Sequence, residues 1–481
     1  PGNVNLVIPQ IPAGQQAIIE LRARVDNNGN ANAGDAFINT AAYTFANSPA
    51  GVPNNGGSDN TVSTLAIIEP AVAVTKAVTN LTNPGNAPDA GDVLRYTISL
   101  TALGGVSPGD QFSDAFDISI ADSLSSGLLY NGNLSVDGAG NTIALPVITG
   151  DGVATPQTLN WSLADGNADI DIVEGTVVTI NYEVLVLDVV QANQNLSNAV
   201  NIQWHSRDGP DVNQRDGSGA PVFNDYFNVS PATTLQVTPD NNIVTKSRLS
   251  DTFESVPPPG DNVVRIGDIV DFELRINLQE GTHPNTVITD NLPQGMVFEE
   301  TLSINGDTIA PYTAAAPFNH PDIAAAVVTG DPALGPTAVS WTAGDIVNAG
   351  DNLANNDFVI TYRARVLNLV HPQQNNITLT NNVNLDYGTA TGAAPVKTDS
   401  EDLDLQQPDL SVAKIQVFTP TSTDSTIDAG ETVRYMVSIT NNGTAPAYDT
   451  ELLDIIPSGL RSPAITVIDT RLAVAGTDLP D

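Results

Sequence analysis

Val72-Ala73-Val74-Thr75-Lys76, Asn242-Ile243-Val244-Thr245-Lys246 and Leu410-Ser411-Val412-Ala413-Lys414 are three copies of one pattern, an apolar β-type run closed by a lysine. The first two lysines lie 170 residues apart and the last two 168, in a chain of 481 residues that holds only 17 lysines and arginines. A near-constant period of this kind marks an array of similar modules. The same landmarks follow each lysine. A turn and strand comes first: Gly91-Asp92-Val93-Leu94-Arg95-Tyr96, Gly267-Asp268-Ile269-Val270-Asp271-Phe272 and Gly430-Glu431-Thr432-Val433-Arg434-Tyr435. A strand ending in an acid follows, at Asp122, Asp290 and Asp454. Two copies then show a tryptophan (Trp161, Trp341) and an alternating strand, Val177 to Tyr182 and Phe358 to Tyr362. An asparagine strand closes the order: Leu196-Ser197-Asn198, Leu379-Thr380-Asn381 and, near the start of the chain, Phe37-Ile38-Asn39.

Short runs rich in Val, Ile, Thr and Tyr with period-two alternation, punctuated by Gly, Pro and Asn, read as strands and turns. The expected fold is all-β, with tandem Ig-like antiparallel β-sandwich modules in an elongated array. Residues 70–240 and 241–408 carry complete modules. Residues 1–69 carry only the asparagine half, and residues 409–481 only the lysine half. Either the chain is an excerpt of a longer array, or the tail of one molecule completes the head of the next.

The 55 acidic residues leave a formal charge of −38, which sets aside nucleic acid as a partner on electrostatic grounds. The absence of cysteine removes disulfides, thiolate catalysis and Cys-type metal sites. No apolar run approaches the roughly 20 residues that span a bilayer. The abundance of Asn, Thr and Gly is that of extracellular bacterial adhesins and fibres, so the expected location is the bacterial exterior or cell surface.

The Thr-Lys run, the Gly-Asp turn, the acid before a Leu-Pro-x-Gly type turn (Asp290 to Gly295, Asp454 to Gly459) and the Leu-Thr-Asn strand together resemble the Ig-like repeat of bacterial surface proteins called domain of unknown function 11. Its longer members are often called isopeptide-forming fimbrial proteins. The stretch from Trp204 through Arg215-Asp216-Gly217-Ser218-Gly219 to Tyr226 looks like an insertion of that family. Two features depart from the pattern: Asp122 is followed by Ser-Leu-Ser-Ser-Gly without proline, and residues 1–69 lack the tryptophan. The resemblance implies a surface location and isopeptide chemistry.

That chemistry has a physical basis in the residues. A lysine amine attacks an asparagine side-chain amide when the amine is neutral and the carbonyl polarised, and ammonia leaves. Burial lowers the lysine pKa and raises that of a carboxylic acid, so nucleophile and proton shuttle come together. The expected sets are Lys76, Asp122 and Asn198; Lys246, Asp290 and Asn381; and, across a head-to-tail joint between copies, Lys414 and Asp454 with Asn39. First and last strands of a sandwich are expected side by side, bringing lysine to asparagine. The competing readings are a noncovalent buried network and solvated residues, since strand-end lysines guard edges and Asp or Asn begin turns.

No cofactor is required by this scheme, and Ca2+ is the candidate ion. Asp165, Asn167, Asp169 and Asp171 alternate as a hard-cation loop does, without the glycine or the bidentate Glu of an EF-hand. The four histidines (His205, His283, His320, His371) stand singly and no serine sits in a nucleophile elbow, so no enzyme beyond single-turnover crosslinking is expected. The expected role is a structural subunit of an extracellular fibre, stalk or matrix filament whose partners are copies of itself. The alternative is an adhesin that binds glycan or a cell-surface receptor through exposed loops. Trp161 and Trp341 read as core, whereas Trp204 has the better prospect of standing exposed as a sugar platform.

Overall fold

A computed structural model of the chain describes residues 2–46, 58–104, 111–138, 140–252, 262–369, 377–417 and 429–461. The described residues form strands and turns without a helix, so none is long and apolar enough to cross a membrane. His371 lies outside them.

Two hydrophobic cores account for most of the buried side chains. One gathers residues from Val72 to Val237, the other from Val244 to Leu405. Each lies between two sheets. In the first sandwich one sheet runs, edge to edge, through Val72–Asn80, Val93–Ala102, Val177–Val186 and Leu128–Val136. The facing sheet is built around Asn195–His205, Phe116–Ser123 and Thr158–Trp161. The second sandwich repeats this order with Ile243–Asp251, Ile269–Asn277, Asp357–Val366 and Met296–Ile304 facing Ile377–Asp386, Gly281–Leu292 and Thr337–Asn348. The named strands pair antiparallel. The fold is therefore all-β, a series of Ig-like antiparallel sandwiches.

The lysine and asparagine strands differ from expectation in one respect. They do not lie side by side in one sheet but in opposite sheets. What brings their side chains together is the pleat. Val72, Val74 and Lys76 occupy the buried phase of their strand, as do Val244 and Lys246, so each lysine points across the core.

The terminal parts are hairpins with bare faces. Ala36–Thr44 pairs with Ser58–Ala66, and Leu410–Val417 with Arg434–Asn441. Phe37, Ile38, Tyr43, Val62 and Leu65 of the first pair, and Val412, Ile415, Met436 and Ile439 of the second, are exposed. The two sandwiches also meet directly. The Thr282 N–H donates to the Val190 carbonyl at 2.8 Å, and the Gly350 N–H donates to Asp188 Oδ1 at 3.0 Å.

Candidate functional site

Strand register builds the same site twice. Lys76 stands opposite Ile98, two residues from Tyr96; Lys246 stands opposite Leu274, two residues from Phe272. Tyr96 in turn faces Tyr182, and Phe272 faces Tyr362. In the other sheet Asp122 faces Val200, two residues from Asn198, and Asp290 faces Val383, two residues from Asn381. Residues two apart share a face, so each offset makes a diagonal neighbour. Trp161 and Trp341 stand opposite Ile120 and Ile288, two residues before the acids. Their rings pack on Tyr182 and Tyr362 at 5.9 and 5.5 Å.

The resulting geometry spans the two sheets. The ammonium groups of Lys76 and Lys246 contact Asp122 Oδ2 and Asp290 Oδ2, and all four side chains are closed to solvent. Lys76 Nζ also lies 4.7 Å from the centre of the Tyr96 ring, and Lys246 Nζ 4.8 Å from that of Phe272. The tyrosine hydroxyl links this pair to the asparagine. Tyr182 donates to Asp122 at 2.6 Å and accepts from Asn198 Nδ2 at 3.3 Å. Tyr362 accepts from Lys246 at 2.7 Å and from Asn381 Nδ2 at 2.8 Å. The second oxygen of each acid and the amide oxygen of each asparagine have no hydrogen-bond partner, although buried.

Burial dominates the electrostatics. It pushes the Lys76 amine down to about 8 against the opposing pull of Asp122, and it lowers that of Lys246. It raises the Asp290 carboxyl and holds the Tyr182 and Tyr362 hydroxyls protonated. The amine and the acid of the second sandwich both move toward their neutral forms.

The third set is placed differently. Lys414 Nζ bonds both oxygens of Asp454, at 2.6 and 2.8 Å, and lies over the Tyr435 ring at 4.5 Å. Side-chain exposures of 37 and 33 % leave this pair open to water. Asn39 sits on the exposed first hairpin opposite Ser63.

The proposed cation loop divides. Asp165 accepts from the Ser162 hydroxyl at 2.7 Å, while Asn167 accepts from the Ser162 N–H at 2.9 Å and donates to the carbonyls of Leu145 and Asn160. Those two side chains close a turn. Asp169 and Asp171 instead join Asp117, with one oxygen from each within 4.8 Å of the others.

Trp204, expected to be exposed, is buried. It stacks on Tyr226 at 5.9 Å and donates to the Pro70 carbonyl at 3.3 Å. The Gly-rich insertion folds back over it, which an isolated reading of that loop does not reveal. Within the insertion Arg215 is a clamp that sequence reasoning missed. Its guanidinium pairs with Glu69 and donates to the carbonyls of Asn28 and Ala31 at 2.9 and 2.8 Å.

No family model matches the chain, and no curated protein matches it. Among solved structures, the C-terminal domain of the AgI/II polypeptide BspA of Streptococcus agalactiae is 11% identical, with 69% of this chain and 99% of that one covered at a TM-score of 0.23. The major pilin subunit BcpA of Bacillus cereus is 10% identical, with 76% and 81% covered at 0.24. The Actinomyces fimbrial adhesin FimA is 10% identical, with 69% and 96% covered at 0.23. Likenesses this shallow carry no argument about what the chain does.

Proposed function

We propose that the chain is a structural subunit of a bacterial surface fibre, in which each complete sandwich is locked by a bond between its lysine and its asparagine. The supporting observation is the recurrence, at identical strand offsets, of a solvent-free Lys–Asp–Tyr–Asn cluster that joins the two sheets of each sandwich. In the reaction the neutral lysine nitrogen attacks the asparagine Cγ. A C–N bond to lysine forms and the C–Nδ2 bond breaks. The one proton lost by the amine passes to the acid and is relayed through the tyrosine hydroxyl, which already holds Nδ2 and regains its own proton, so that the nitrogen leaves as ammonia. Fixed positions supply the effective concentration that a single turnover requires. Force along the strands then loads a covalent bond that bridges the sheets.

The terminal hairpins extend the proposal to assembly. Their bare apolar faces and their content, asparagine in one and Lys414 with Asp454 in the other, suit strand complementation between copies, which would bury the third lysine beside Asn39 of the neighbour. Boiled, concentrated protein run on a denaturing gel then shows a ladder, whereas a noncovalent joint gives single chains.

Intact mass of the purified full chain tests the bonds. The expected deficit from the sequence mass is two ammonias, reduced to one in Lys246→Ala. A deficit of two waters would transfer the acceptor role to Asp122 and Asp290, which the lysines touch directly. The unmodified sequence mass would overturn the crosslink.

A further inference from the structure

We propose that Asp117, Asp169 and Asp171 form a calcium site in the first sandwich, independent of the lysine cluster. Backbone pairing builds it. Residues 168–172 run against 115–118: the Ile118 N–H donates to the Ile170 carbonyl at 3.0 Å, and Ala115 and Ile172 exchange hydrogen bonds at 3.0 and 2.8 Å. Ile170 and Ile172 enter the core, so alternation turns Asp169 and Asp171 the other way. Asp117 adopts a φ of +51°, and its N–H donates to Asp171 Oδ1 at 3.0 Å. The three carboxylates thereby bring one oxygen each within 4.8 Å of one another.

The second observation is Asp117 itself. Its side chain is 1% exposed. Oδ2 meets the Gly209 N–H at 3.0 Å and His205 Nδ1 at 3.1 Å, while Oδ1 is buried with no hydrogen-bond partner. A carboxylate oxygen closed to water and left without a donor, beside two further carboxylates, suits a hard cation whose coordination is completed by waters and carbonyls. Calcium fits this donor set better than zinc, which favours nitrogen and sulfur. The ion would fasten the acid strand, the segment after the tryptophan strand and the insertion that carries Gly209.

The second sandwich is an internal control. Asn285 holds the place of Asp117, with φ +54°, and its N–H likewise meets an acid, Asp345, at 2.9 Å. Two residues before Asp345 stands Ala343, which is buried in the core and offers no carboxylate. One acid there replaces three, and no calcium is expected.

Equilibrium dialysis of the full chain against about 1 mM Ca2+, the affinity range of extracellular modules, tests the site. Asp169→Asn changes an exposed side chain and is expected to remove one bound Ca2+ per chain with an unchanged circular dichroism spectrum. Asp165→Asn, which touches only the Ser162 turn, is expected to remove none. Wild-type protein that binds no Ca2+, equal binding by wild type and Asp169→Asn, or loss on Asp165→Asn instead would each overturn the site.

Discussion

Lys76 and Lys414 meet the same partner type at the same strand register, each diagonal to a tyrosine and in contact with an aspartate, yet they belong to different chemical worlds. Around Lys76 two sheets exclude water, and the amine falls to about 8. Around Lys414 one hairpin supplies only half of the walls. In the proposed crosslink the pair of residues is not enough; the second sheet is needed, because its desolvation is what lowers the amine.

The largest effect should separate the acids. Asp290→Ala leaves a buried ammonium without its partner and removes the proton shuttle, so the second sandwich should lose about 3–5 kcal/mol. Asp454→Ala breaks a water-exposed pair and should cost at most about 1 kcal/mol. Guanidinium titration of the full chain measures both, read by tryptophan fluorescence for the sandwich and by circular dichroism for the hairpin, which holds no tryptophan. Equal losses would erase the distinction between the sites.

Next come the hydroxyls. Tyr362→Phe keeps the ring against Trp341 but removes the contact between Lys246 and Asn381. In chain collected denatured at its full sequence mass and then refolded, the mass loss in the second sandwich should slow by about a hundredfold, while Tyr435→Phe should change nothing in dilute protein. An unaltered rate in Tyr362→Phe would remove the hydroxyl from the proton path.

A smaller effect is set by pH. The neutral fraction of Lys76 grows as pH rises toward and through about 8, so mass loss in the first sandwich should accelerate over that range and then level. A rate that falls with rising pH would contradict attack by the neutral amine.

The smallest effect concerns a buried acid with no lysine. Glu280, at the meeting of the sandwiches, has both oxygens unpartnered. Burial, then Asp89, pushes its carboxyl from 4.5 up to about 7. A raised folded-state pKa favours the folded form fully below pH 4.5, and that contribution is lost as pH rises through about 7. Melting of the full chain between pH 5 and 8 should therefore decline more than in Glu280→Gln, and identical slopes would count against it.

Much of this was legible in the residues. Recurrence of lysine, acid and asparagine at a fixed period exposed the modules, because selection for one strand order leaves one motif order. The tyrosines were visible within their strands but not their role: alternation says which side chains point inward, while register across loops of unequal length decides which ones meet. Asp117 escaped notice because the two acids it joins lie far along the chain. Trp204 was misjudged because a polar, Gly-rich loop carries no mark of what it covers.

Peptide mapping of the monomeric full chain by tandem mass spectrometry addresses the central claim most directly. Branched peptides joining Lys76 to Asn198 and Lys246 to Asn381, with Lys414 in a linear peptide, are the predicted result. Recovery of Lys76 and Lys246 in linear peptides, as unmodified as Lys414, would contradict it.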